Sequence, residues 1–201
     1  MLSVRGLQCV RGERTLFTAL NFDLAPGEWL HVRGENGAGK TSLLRLLAGL
    51  SRPEQGEISW SGLPIRHSDS NYHENLLYFG HLSAIKDDLT AFENLRFVST
   101  LDGMRWPPEH YMAALYRLGL RGREDLPVRV LSAGQRRRVA LARLLCSKAR
   151  LWILDEPFTA LDVKAVELLS ALIADHVGQG AMAVLTSHQP LSLPGGRELV
   201  L

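Results

Sequence analysis

Residues Gly34 to Thr41 read GENGAGKT. The stretch fills every fixed position of the phosphate-loop pattern GxxxxGK[ST], with the apolar EWLHVRG before it and the leucine-rich KTSLLRLLAGL after it. That order, strand, tight turn, helix, is the context the chemistry needs. Glycine dihedrals let successive backbone N–H groups converge on one anion, and the following helix turns its positive end towards the same point. Lys40 can then reach phosphate oxygens, and the Thr41 hydroxyl can ligate a magnesium ion. The expected phosphate cradle is Gly34, Glu35, Asn36, Gly37, Ala38, Gly39, Lys40, Thr41 and Ser42.

A second half for such a site follows far downstream. Leu151 to Leu154 (LWIL) predict a buried strand, from whose end Asp155 emerges to hold the metal directly or through water. Glu156, one residue on, is placed to polarise an attacking water. The strand AVLTSH ends at His188, and ligands of open α/β sheets sit beyond that edge, so His188 is a candidate contact to a γ-phosphate. ATP and Mg²⁺ are the expected ligands.

Between these pieces strands alternate with helices, which predicts a mostly parallel sheet covered by helices. The N-terminal SVRGLQCV, TLFTALNFDL and EWLHVRG read as strands, as do GEISWSGLPI and NLLYFG. LTAFENLRFVSTL carries a capping box at Thr90 and Glu93, and PPEHYMAALYRLGL has prolines at its start and a glycine near its end. A helix is expected from Val139 to Leu145, and another in DVKAVELLSALIADHVGQG with Gly178 near its stop. One domain is expected, with a core of about 1–84 and 136–201 and a helical subdomain of about 85–135.

The net charge of +2 gives no footing for a nucleic-acid ligand, and Arg136 to Arg138 form a basic run without interleaved aromatics. Cys9 and Cys146 lie too far apart to suggest zinc or a redox pair. No uncharged apolar run reaches membrane-spanning length, and the first residues lack a secretory segment, which together point to the cytoplasm. Attachment to a membrane protein remains open, since it needs only a surface patch.

With these residues in view, the chain resembles the ATP-binding subunits of ABC transporters over nearly its whole length. Leu131-Ser132-Ala133-Gly134-Gln135 looks like the signature sequence of that family, with Ala133 in place of the first glycine. The resemblance implies a phosphate-loop fold with N-terminal antiparallel strands and a helical subdomain. It implies that Asp155 is the magnesium aspartate, Glu156 the catalytic glutamate and His188 the switch histidine, with Lys40 assisting catalysis. It also implies a head-to-tail dimer in which Ser132, Ala133, Gly134 and Gln135 of one copy cover the nucleotide held by the other. Ala160-Leu161-Asp162 resembles the loop that communicates across that dimer. A helix is expected to begin at the signature segment Ser132 to Gln135 and offer free N–H groups to an anion, with Arg136 to Arg138 on its first turns. Some of these arginines would add positive potential near the nucleotide, and others would be solvated or meet acidic residues of the same subunit.

Two departures from the family pattern stand out. Arg11 falls where an aromatic residue usually stacks on adenine, so either its planar guanidinium stacks or neighbours hold the base. His81 falls at the glutamine-loop position that senses the metal; it either takes that role, as a metal-site residue titrating near neutrality, or is simply a loop residue. The sequence YFGH followed by IKDDLTAFENLRF is similar to the haem-exporter ATPases of cytochrome c maturation. That likeness implies a peripheral subunit on the cytoplasmic face of the bacterial inner membrane. Its partners would be a permease resembling CcmB, together with CcmC and CcmD, and a functional link to the haem chaperone CcmE. The alternatives are another small ABC exporter with different cargo, or a soluble ABC-type ATPase.

Overall fold

A computed structural model of the chain describes residues 1–65, 70–80, 84–187 and 195–201. The chain divides into two compact units. One comprises Met1–Gly80, Ala149–Pro157 and Leu172–Leu201, and the other His81–Lys148 and Phe158–Ala171. The mainly helical unit therefore runs on past residue 135 and takes in a second, later segment.

In the first unit the described strands are β1 (Leu2–Arg11), β2 (Arg14–Leu24), β3 (Trp29–Arg33), β4 (Gln55–Trp60), β5 (Leu63–Pro64), β6 (Leu76–Phe79), β7 (Leu151–Leu154), β8 (Met182–Thr186) and β9 (Gly196–Val200). They form an antiparallel sheet in the order β2-β1-β4-β5 and a parallel sheet in the order β6-β7-β8-β3-β9. This is the mostly parallel core that the alternation predicts, with the antiparallel N-terminal strands that the resemblance implies. Residues Trp29 to Val32 and every residue of β7 and β8 are buried. Strands covered on both faces cannot alternate apolar with polar residues, which is why these segments read as continuous apolar runs.

Register decides where the connections emerge. Val32 pairs with Thr186, and Leu185 with Leu154. The segments leaving β3, β7 and β8 therefore depart from one edge of the sheet, the edge at which open α/β sheets bind ligands. Helix α1 (Lys40–Leu47) buries Leu43, Leu44, Leu46 and Leu47 in the same core as Leu30, Val32, Ile153 and Val184. Each buried leucine contributes roughly 2 kcal/mol of transfer energy, which anchors the loop that precedes the helix. The helix ends in a Schellman turn: Gly49 has φ 70°, and Leu50 N–H donates to Arg45 C=O at 2.9 Å. A short helix, α2 (Ser70–Glu74), precedes β6.

The second unit contains α3 (Ala91–Leu101), α4 (Pro108–Arg117), α5 (Ala133–Ala142) and the start of α6 (Val163–Gly178). The capping box of α3 forms as read, with Glu93 N–H donating to Thr90 Oγ1 at 3.1 Å and Thr90 N–H to Glu93 Oε2 at 2.9 Å. Pro108 opens α4. The helix expected over 139–145 is the later part of the one expected to begin at the signature segment. It begins at Ala133, capped by Ser132, and after Ala142 tightens into a 3₁₀ turn over Arg143–Cys146. Arg136 to Arg138 lie on its first turns, as expected, and Arg137 is buried like an apolar residue. Among the described residues no helix is long and apolar enough to cross a membrane.

Candidate functional site

The phosphate loop leaves β3 and turns on glycines in the left-handed region, with φ of 84° at Gly37 and 105° at Gly39. Gly39 is required twice over, since a Cβ there would lie 3.1 Å from Leu16 Cβ. Gly39 caps α1, and Leu43 N–H donates to its carbonyl at 2.8 Å. The N–H groups of Lys40, Thr41 and Ser42 precede that bond and belong to the positive end of the helix. Lys40 Nζ donates to Gly34 C=O at 2.7 Å and to Glu35 C=O at 3.0 Å. These bonds fix the ammonium over its own loop, and its third N–H remains for a phosphate oxygen.

Two strands away in the sheet, β7 ends and Asp155 begins. Its backbone N–H donates to Phe79 C=O at 2.8 Å, and its side chain is buried. Thr186 Oγ1, at the end of β8, donates to Asp155 Oδ1 at 2.9 Å and accepts Glu156 N–H at 2.9 Å. Asp155 Oδ2 is buried and has no hydrogen-bond partner among the described residues. Leaving a carboxylate oxygen dry and unpaired is costly unless a ligand satisfies it. Glu156 has φ 50°, a left-handed backbone that costs a non-glycine residue about 1–2 kcal/mol.

A magnesium ion fits these donors. Among the described residues no three His, Cys, Asp or Glu side chains gather into a cage that could hold an ion alone. One buried carboxylate oxygen and one hydroxyl, with substrate phosphates and water completing the shell, is the ordinary manner of binding magnesium.

Arg11 ends β1 opposite Arg14. Burial pushes the Cys9 thiol pKa up, while the Arg11 charge and hydrogen bonds with Ser42 and Arg11 oppose the rise. Arg11 and Ser42 thus meet a common neighbour, which sets Arg11 beside the first turn of α1. Arg14, which sequence reasoning passed over, brings Nη1 to 3.9 Å from where a Cβ on Gly37 would stand. Its one visible signal was its place just after the Gly12-Glu13 turn.

In the helical unit, Ser132 and Gln135 close a second capping box. Gln135 N–H donates to Ser132 Oγ at 3.2 Å, and Ser132 N–H donates to Gln135 Oε1 at 3.0 Å. Ala133 opens the helix. A Cβ on Gly134 would meet only Ala160 C=O, at an ordinary 3.4 Å, so packing within the unit does not demand glycine there. Arg136 donates to Leu131 C=O at 3.0 Å and to Arg129 C=O at 2.8 Å. Arg138 donates to Asp162 Oδ2 at 2.6 Å. The other Asp162 oxygen accepts Ala165 N–H at 2.9 Å, and this helix cap, with the Arg138 charge behind it, holds the carboxyl below its ordinary pKa. These two arginines meet carbonyls and a carboxylate of their own unit. His81 and His188 lie outside the described residues.

A parallel sheet with a phosphate loop at its strand edge defines the class first: a phosphate-loop nucleoside-triphosphatase fold. The sequence family described as ABC transporter matches residues 17–159. The cytochrome c biogenesis ATP-binding export protein CcmA of Nitrosomonas europaea is 54% identical over 191 residues, covering 95% of this chain and 90% of that protein. Its namesake in Escherichia coli K12 is 54% identical over 193 residues, covering 96% and 91%. An ABC transporter ATP-binding protein from Pyrococcus furiosus superposes with a TM-score of 0.85 at 23% identity, covering 98% of this chain and 96% of that one. An ATP-binding cassette solved as a dimer with ADP and Pi superposes at 0.81 with 22% identity, covering 94% and 88%. The chain belongs to the ABC transporter family, as an ATP-hydrolysing domain that uses ATP and Mg²⁺, and within that family to the CcmA proteins.

Proposed function

We propose that the chain hydrolyses ATP at the Gly34–Thr41 loop to drive a membrane ABC complex of c-type cytochrome biogenesis, in haem export or release of haem-loaded CcmE. The observation that supports the site assignment is the buried Asp155 Oδ2, unpaired among the described residues, at the sheet edge from which the Lys40 loop also leaves. Lys40 and the first N–H groups of α1 grip the β- and γ-phosphates. Thr41 and Asp155 would hold a magnesium ion, and Arg11 lies near enough to α1 to serve the base. The chemistry such an ion would supply there is neutralisation of the charge that develops on the phosphates. Glu156 polarises a water in line with the γ-phosphate, and His188 steadies the charge that builds on the transferring group.

The second half of the site comes from another copy. Ser132 spends its oxygen as an acceptor in the capping box, so its hydroxyl proton stays available to donate to a γ-phosphate. Gly134, not needed by packing, permits close approach of a nucleotide across a head-to-tail dimer. Cleavage removes the anion that joins the two copies and lets them part. His81 is assigned to the loop that reports the metal to the helical unit. The near-full-length likeness to CcmA proteins supports the cytochrome c role, a permease resembling CcmB with CcmC and CcmD, and residence at the cytoplasmic face of the inner membrane.

Glu156→Gln tests the scheme at both levels. The purified variant should bind ATP, form ATP-dependent dimers by light scattering, and fail to reopen. Introduced into a c-type cytochrome producer lacking its own copy, it should leave haem-stained cytochromes absent where the parent chain restores them. A variant that stays monomeric under saturating ATP, or that restores the stain, contradicts the proposal.

A further inference from the structure

We infer that Thr186 is a positioning residue that aims both acidic groups of the site through one hydroxyl. The inference rests on the roles proposed above for Asp155 and Glu156. Thr186 is fully buried at the last position of β8, between β3 and β7, and pairs with Val32 in the strand that feeds the phosphate loop. Its oxygen works in both directions, donating to Asp155 Oδ1 and accepting Glu156 N–H, each at 2.9 Å.

Each bond answers a separate problem. A carboxylate can rotate about its terminal torsion and exchange its two oxygens. Tying Oδ1 to Thr186 stops that exchange and leaves Oδ2, buried and without a partner among the described residues, as the oxygen for the metal. Glu156 must hold a left-handed backbone, φ 50°, to turn out of β7. That conformation persists only where surroundings over-determine it, and the Thr186 oxygen supplies one such restraint on its N–H. The metal-holding and water-polarising groups are adjacent in sequence, and a side chain thirty-one residues beyond Asp155 fixes them to one another. Valine would fill the same space and keep the strand, but would release both groups. Secondary partners of metal ligands commonly cost about 10–100-fold in metal affinity or activity when removed.

The test compares Thr186→Ser with Thr186→Ala, which differ only by the hydroxyl, with Thr186→Val as the variant of matched shape. Binding of a fluorescent ATP analogue to the full chain is titrated with and without magnesium. ATP hydrolysis is then measured in the assembled membrane complex. The serine variant should match the parent in both. The alanine and valine variants should keep the magnesium-free affinity, lose the gain in affinity that magnesium confers, and lower kcat by about 10–100-fold with little change in KM. If valine at this buried place prevents folding, the serine and alanine pair still decides. Alanine behaving like serine in both readouts overturns the inference and leaves the site assignment standing. A parent chain with neither magnesium-enhanced binding nor hydrolysis would overturn the site assignment itself, and the Thr186 inference with it.

Discussion

At the strand edge of the core, Asp155 Oδ2 is buried without a partner among the described residues, Glu156 holds a left-handed backbone, and Arg11 and Arg14 are exposed. In the helical unit the polar groups of the signature segment are bonded to one another. Ser132 and Gln135 close a box, Arg136 returns to the carbonyls of Arg129 and Leu131, and Arg138 meets Asp162. Both regions are proposed to face the same triphosphate. Among the described residues, the first retains a buried carboxylate oxygen suited to a ligand. The second closes its capping box on itself and offers a hydroxyl proton and a bare glycine backbone. Binding chemistry is thus concentrated in one region, and rigidity in the other.

Lys40→Ala gives the largest expected effect, because it removes the ammonium that is hydrogen-bonded across the loop. ATP turnover measured by phosphate release should fall by at least about 10²–10³-fold, the usual loss of a main electrostatic contributor. Turnover like that of the parent would erase the contrast between the two regions.

Next in size is an acid effect that separates ligand-oriented polarity from merely buried polarity. His176 stacks on Trp152 with ring centroids 3.7 Å apart, and burial lowers its pKa to about 4, opposed by a hydrogen bond with the Met182 backbone. Above its ordinary pKa of about 6.5 the imidazole is neutral in folded and unfolded chains alike. As pH falls below that value the unfolded chain takes up the proton first, so stability is lost between about pH 6.5 and 4, by as much as about 3 kcal/mol. Urea midpoints from pH 7 to 5 should fall for the parent and fall less for His176→Phe, which keeps a stacked ring but binds no proton. Equal slopes would show that other groups govern the acid response.

The smallest effect makes the sharpest comparison, because the helical unit contains the same capping geometry twice. Thr90→Ala and Ser132→Ala should each cost about 1 kcal/mol in urea unfolding. Only Ser132→Ala should also slow ATP hydrolysis in the assembled complex. Equal slowing by both would reduce the signature serine to a helix cap.

Local chemistry explains what could be read in advance. The glycine loop, the Thr90 box and the buried strand before Asp155 each occupy a few consecutive residues whose types have one sensible conformation. Thr186 was overlooked because its partners lie on a neighbouring strand, and nothing in LTSH signals which carboxylate will sit beside it. The start of α5 is legible through the signature segment and not through apolar spacing, which the buried Arg137 breaks. Arg14 escaped notice because its nearness to Gly37 depends on how the first hairpin folds over the loop.

The left-handed turn at Glu156 has a consequence for durability. Glycine would adopt that backbone without strain, so the fold by itself favours an uncharged, side-chain-free residue at this position. The carboxylate is therefore kept at some expense to thermal resilience, and the sturdiest variant of this corner would be one unable to activate water.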